Sequence, residues 1–566
     1  MANPAVDERD DRAGAGIGGH RPIAGRDMSR SPFWALLAFG AVAALGGITL
    51  WSAPAPMMAP WDNFILLDGA YRILQGQAPS TDFASPIGPL VYGLTAIGMR
   101  MQRVPSLAAV GYGSVVFLGI VAVLGWLVAR RRLPAPLAAG FTVFVAVVVV
   151  AVRPLGYSAG NTTYAMLYNR YGWALYATLL VLALLRPRVP MPPRALAGDG
   201  LILGALLGLL CYCKISFLLV GVGAVGAGLL LGTLPRRLLL ALWAVVGFLL
   251  VGIAMWLAFG ARAPDYLADF VATARAQRDG QRLSVLVRSV AVNLPVGLVA
   301  AAVIGGLLVS ARRHGRPARP IWRLAAAAGY VLGSSVLVSV TNSQEKVDLP
   351  ALVLIPLLLA GYAVGDAAPA GARPFRPPKP LLAGVAVLLV GTAGLVAARD
   401  MVAIGRAVAL RGEVAAPAPS QRMASDRLRD FVVPADATWQ TAYRTANEVP
   451  AMMNDGMALL RRHVAPRDTV FTVALANPFS FALSLPPSRG EPLWWDVGID
   501  FDRASHPSAD RAFGNARWVM VPRMVPGRGC CQQTVQTMLD LYQPYLDRHF
   551  TETERTTDWI LLARTQ

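Results

Sequence analysis

The stretch Trp61–Tyr92 reads WDNFILLDGAYRILQGQAPSTDFASPIGPLVY, and it places Asp62, Asp68 and Asp82 directly behind Phe33–Trp51, an apolar run too long and too pure for a soluble core. Carboxylates beside a bilayer are costly to desolvate, so they stay wet or do chemistry. The run ahead of them follows Met1–Arg30, a polar lead rich in Gly and Arg that reads as disordered and ends in Arg26 and Arg30. That pattern is a signal-anchor rather than a cleaved signal, and the positive-inside bias puts the N-terminus in the cytoplasm. All three acids then lie outside.

Composition points the same way. The 566 residues are 55% hydrophobic and 15% charged, and a mean hydropathy of +0.49 excludes an ordinary soluble chain. The net charge of +19 comes from short basic clusters between apolar runs, which is the signature of membrane topology rather than of nucleic-acid binding. Cys211 and Cys213 sit in an apolar run and Cys530 and Cys531 are adjacent near the C-terminus, so the cysteines form neither a metal framework nor a disulfide scaffold.

Outward from the opening stretch, Pro86–Gly98 is shorter than the ~20 residues a straight span needs. Counting it as a span would also put Arg130, Arg131 and Arg132 outside, so it reads as an interfacial or re-entrant helix, with Leu107–Val128 as the second span. The run Leu201–Gly232 would be roughly 50 Å long as one helix, too long for a ~30 Å core. Lys214 lies near its middle and arginines flank both ends, so it reads as two short passes that meet at Lys214 on the outer face. Continued in this way, the chain has about eleven spans. The expected fold is mainly α: a polytopic membrane protein with about eleven transmembrane helices plus a C-terminal extracytoplasmic α/β domain. The expected divisions are a cytoplasmic tail over 1–30, a transmembrane domain over 31–398 with its first outer loop at 52–106, and the α/β domain over 399–566. In that last domain Asp468–Ala476, Trp518–Pro522 and Trp559–Ala563 have strand character and Gln533–Leu546 has helical spacing.

With the layout in place, the first outer loop resembles a known family, the C-type glycosyltransferases that use polyprenyl-phosphate sugars, such as lipid A aminoarabinose transferases and protein O-mannosyltransferases. The resemblance rests on Asp62, Ala70, Gly76, Gly88-Pro89-Leu90 and Tyr92, and on a lysine inside an apolar hairpin after Gly-Leu-Leu, Gly208–Lys214. Those enzymes commonly carry an Asp-Glu pair where this chain has Asp62-Asn63, which leaves a second acid's role absent or taken by Asp68 or Asp82. The resemblance implies a bacterial inner-membrane enzyme, a polyprenyl-phosphate-linked sugar as donor, a glycan, lipid or protein as acceptor, and transfer with inversion.

Transfer from a lipid phosphate needs a carboxylate to take the acceptor's hydroxyl proton and cations to stabilise the departing phosphate. Asp62 is the expected base and Asp82 the second catalytic candidate. Asp68, six residues on from Asp62, falls on another helix face and is expected to be wet; it is grouped with Tyr168 and Asn169 as substrate-binding. Lys214, Lys346, Arg153 and Arg170 are the donor-phosphate candidates, each at an outer membrane boundary. Trp494 and Trp495 before Asp496 read as core, with stacking on a sugar face as the alternative, and Asp500-Phe501-Asp502 does not by itself assign a metal. No metal ligand is assigned, although a divalent ion is compatible with the chemistry. Surrounding lipid is the remaining partner. The chain lacks a phosphate-binding P-loop, a Rossmann fingerprint and a serine nucleophile elbow. A transporter or flippase of lipid-linked sugars is the alternative, and a non-catalytic envelope scaffold is a third reading.

Overall fold

The computed structural model describes residues 31–55, 57–276, 282–313, 318–341, 348–365, 378–415, 417, 422–433, 448–524 and 532–565. The lead 1–30, Lys346, Cys530 and Cys531 lie outside the described residues.

Leu-, Val- and Ala-rich runs form the helices of the membrane part, and breaks fall where Gly, Pro or charge interrupts them. In chain order they are α1 (Ser31–Ser52), α2 (Pro60–Leu74), α3 (Leu90–Arg100), α4 (Ala108–Ala129) and α5 (Ala135–Val150). Then come α6 (Leu167–Leu184), α7 (Pro193–Cys213), α8 (Ile215–Leu231), α9 (Arg237–Phe259) and α10 (Ala263–Ala276). The series closes with α11 (Arg282–Arg313), α12 (Arg319–Val340), α13 (Leu354–Gly365), α14 (Lys379–Leu389) and α15 (Leu395–Ala409). Among the described residues seven helices are long and apolar enough to cross a membrane, and three shorter apolar helices accompany them. The chain is a multi-pass membrane protein.

Contacts at the two ends of the bundle fix which ends share a side. Arg131 and Arg132, past the end of α4, both pair with Asp199 at the start of α7, and Arg132 Nε donates to the Leu185 carbonyl after α6 at 3.1 Å. At the other end Gly88 in the first loop donates its N–H to the Cys213 carbonyl at 3.1 Å. The arginine cluster and the three acids therefore lie at opposite ends, as the charge pattern requires. Between the ends, α7 and α9 pack backbone to backbone: a Cβ on Gly204 would sit 1.8 Å from the Ala244 carbonyl oxygen, the small-residue contact typical of membrane helices.

The long run around Lys214 is broken as expected. Lys214 is extended, with φ −167° and ψ 128°, and is both the last cap of α7 and the first of α8. At the other expected boundary the last membrane helix does not stop at 398: α14 passes through a π-turn at Val390–Gly394 into α15, which ends at Ala409.

Above the bundle, α2 and α3 are too short to span, as read from the sequence, yet they do not lie on lipid. Nearly every residue of α2 is buried, because the C-terminal domain closes over it. That domain has α16 (Val449–His463), β1 (Val470–Thr472), β2 (Trp518–Pro522), α17 (Gln532–His549), β3 (Phe550–Arg555) and β4 (Trp559–Arg564). The sheet order is β1-β2-β4-β3, with β1 and β2 parallel and the other pairs antiparallel. Strand β3 has no counterpart in the sequence reading. It is an edge strand, exposed along most of its length, and its FTETER pattern has no apolar face to announce it.

Candidate active site

Helix α2 begins at Pro60, a residue pre-set for the first helical position. Its N-cap is Ala59 in the left-handed region. Asp62 therefore stands inside the first turn rather than at the cap. Its neighbour Asn63 is fully buried; it donates to the Met58 and Ala59 carbonyls at 2.9 and 3.0 Å and accepts from Tyr164 N–H at 3.2 Å. A glutamate at 63 would bury a charge where this amide ties α2 to the 151–166 loop.

The three acids of the opening stretch separate sharply. Asp68 was expected on a wet face; it is instead fully buried, and Arg72 Nε donates to its Oδ2 at 2.8 Å. The cause is the C-terminal domain. Arg72 also pairs with Glu491 and donates to the Ser488 carbonyl at 2.6 Å, so Asp68 faces a protein interface rather than water. Asp82 is engaged twice, accepting from Ala78 N–H at 2.8 Å and from Arg489 at 2.9 Å. Asp62 makes no ion pair with any described residue, is half-buried, and is pushed by desolvation up to about 6. Burial outweighs the helix N-terminus here, which alone would favour the charged form.

What faces Asp62 comes from elsewhere in the chain. Burial, with the charge of Asp62 adding to it, lifts Asp496 to about 7. Asp500 is raised well above the carboxylate range by burial, and its Oδ1 accepts from Asp496 N–H at 2.6 Å. Tyr157 in the 151–166 loop is raised to about 12 by burial and by Asp62. These residues were not expected in the site. The only signal was the acid directly after Trp494-Trp495, whose neighbour Trp495 does pack into an aromatic core with Phe471, Phe501 and Tyr542. Among the described residues no group of three His, Cys, Asp or Glu is arranged to hold a metal ion.

The cation candidates divide as well. Arg153 and Arg170 are buried and share Asp400, with N···O distances of 2.8 Å each, and Arg153 also pairs with Asp348 at 2.7 Å. Both therefore tie α15 to the start of α6 and the loop before it. Lys214 Nζ donates to the Thr341 carbonyl at 3.4 Å and lies 5.4 Å from the Tyr168 ring centroid. Lys214 and Tyr168 are thus together. Asn169, the next residue of α6, is fully buried, and neither its Oδ1 nor its Nδ2 has a hydrogen-bond partner among the described residues. Lys346 lies outside the described residues.

No family model matches the chain, and no curated protein matches it. Solved structures similar to it include two of one protein. One is the crystal structure of ArnT from Cupriavidus metallidurans bound to undecaprenyl phosphate, with a TM-score of 0.44 and 14% identity over 94% of this chain and 98% of that one. The other is the same protein in the apo state, with a TM-score of 0.43 and 15% identity over the same shares.

Gly88 sets how the first loop meets the hairpin that carries Lys214. A Cβ there would lie 2.0 Å from the Tyr212 carbonyl oxygen, and backbone cannot yield as a side chain can. Gly88→Ala is expected to destabilise the chain by about 1–3 kcal/mol, read as a lower unfolding temperature in detergent, with loss of any activity that needs Asp62 and Lys214 in register.

Proposed function

We propose that the chain is a membrane glycosyltransferase that moves a sugar from a polyprenyl-phosphate donor to a glycan, lipid or protein acceptor, with inversion. The observation that carries this reading is that Asp62, alone of the three first-loop acids, makes no ion pair with any described residue, while burial raises it to about 6. An acid poised near the working pH and free to accept a proton is what a general base requires. The acceptor hydroxyl gives its proton to Asp62 and attacks the anomeric carbon from the face opposite the phosphate. The C1–O bond to the lipid phosphate breaks, and Lys214 balances the charge left on that phosphate, with Tyr168 and Asn169 beside it. In this reading Asp82 and Asp68 act by holding the first loop to the C-terminal domain, and Arg153 and Arg170 by fixing the loop that carries Tyr157. The charge pattern supports a cytoplasmic N-terminus and an extracytoplasmic site in a bacterial inner membrane.

Asp62→Ala tests the reading: it is expected to abolish transfer while expression and folding stay intact, and an active Asp62→Ala enzyme would sink it. The pH profile gives a second test. The base works only when ionised, so transfer falls about tenfold per unit below pH ~6 and levels off above it. A rate that is flat from pH 5 to 8 contradicts Asp62 as base. Lys214→Met is expected to raise the KM for the donor lipid by about 10–100-fold, the value of one charge-assisted contact, with Lys214→Arg in between; an unchanged KM removes Lys214 from the phosphate site.

A further inference from the structure

A cavity of about 180 Å³ is lined by three parts of the chain: the first loop at Ala84–Pro86, helix α10, and the C-terminal domain. No residue of a membrane-crossing helix lines it. Two carboxyls enter from opposite walls. Asp269 on α10 accepts from Ser85 N–H at 3.1 Å. Asp500 accepts from Asp496 N–H through Oδ1, while its Oδ2 is buried with no hydrogen-bond partner among the described residues. Asp500 lines the cavity with one carboxyl oxygen unpaired just beneath its wall, so a turn of the side chain would offer that oxygen to a ligand's donor. Arg511 and His506 add donors at the rim, and Pro492 and Pro507 add apolar faces.

The balance of these groups selects the ligand. The cavity is smaller than the ~300 Å³ at which drug-sized pockets begin, so it takes one ring rather than a chain. Carboxyls that can donate and accept suit hydroxyls, which do both, and proline faces suit the C–H face of a pyranose. Arg511 opposes a cationic sugar, and the two acids oppose an anionic one. Burial lifts Asp269 to about 6, which favours the same hydroxyl-like partners.

We propose that this cavity binds one neutral sugar unit of the acceptor glycan, its hydroxyls held by Asp269 and Asp500 and its ring against Pro492 and Pro507. Calling that sugar the acceptor rests on the transferase reading above; the binding itself does not. The acceptor side is favoured because the donor's lipid must lie against membrane helices, where Lys214 is, and the cavity touches none of them.

The test is saturation-transfer NMR on the full chain in detergent micelles, with the methyl glycosides of glucose, mannose, galactose and arabinose as probes. One of these is expected to receive saturation from the wild type and from Asp62→Asn, and to lose it about tenfold in Ala272→Trp, which fills the cavity from an exposed position on α10. Asp269→Ala provides a second variant with the same expected loss. Equal signals from wild type and both variants, or no signal from the wild type, overturn the proposal. Should Asp62→Asn retain transferase activity, the functional reading fails while the cavity's ligand stands.

Discussion

Asp62→Asn is expected to lower turnover by about 10²–10⁴-fold, the usual worth of a general base. The amide keeps the volume of the carboxylate and adds no charge to a half-buried site, so the unfolding temperature should stay close to wild type or rise. That asymmetry separates chemistry from structure. Removing a carboxylate whose pKa desolvation has raised to about 6 takes away a charge the fold was carrying at a cost. Asp496→Asn is expected to leave the pH midpoint near 6, because Asp496, raised to about 7, is still protonated where Asp62 ionises. A Tm that drops with Asp62→Asn in parallel with activity would assign Asp62 a structural role instead.

The second large effect falls on stability. Arg72→Ala is expected to cost about 3–5 kcal/mol, because it leaves Asp68 and Glu491 buried without their cation. Burial by itself would lower the Arg72 pKa, but the two carboxylates more than offset it and hold the guanidinium protonated. Since Glu491 belongs to the C-terminal domain and Asp68 to α2, the variant should also loosen the domain from the first loop, where Arg489 and Asp82 give the only other described side-chain ion pair. Limited proteolysis should then cut within 487–502 faster than in the wild type. Replacing Arg72, Asp68 and Glu491 together by apolar residues of similar volume is expected to recover most of the loss, since no unpaired charge remains. A Tm for Arg72→Ala within a degree or two of wild type would contradict the assignment of this cluster as the clasp.

Much of this was legible in the chain. Strand β2 runs Trp518–Pro522 as its β-branched and aromatic run indicates, and the break at Lys214 follows from a length too great for one span and a charge in its middle. These are local features, set by period, length and charge. What escaped depends on contacts across the chain. Asp68 looked wet because its helix was read alone; the partner that buries it, Arg72 with Glu491, spans more than four hundred positions. Asp496 could not be joined to Asp62 by any spacing rule, since the C-terminal domain folds back over α2 and only that return brings it near. Asn63 read as a missing acid until its amide proved to hold three backbone groups.

In the proposed reaction the sugar leaves its lipid phosphate only when Asp62 takes the acceptor's proton. The direct measurement is to reconstitute the purified chain in sealed vesicles with a polyprenyl-phosphate sugar, labelled in the sugar, together with an envelope extract as acceptor. The account predicts label on acceptor and free polyprenyl phosphate in equal amounts, both lost in Asp62→Asn. Label that crosses the bilayer still joined to its lipid, at the same rate in wild type and Asp62→Asn, would contradict it and establish a transporter.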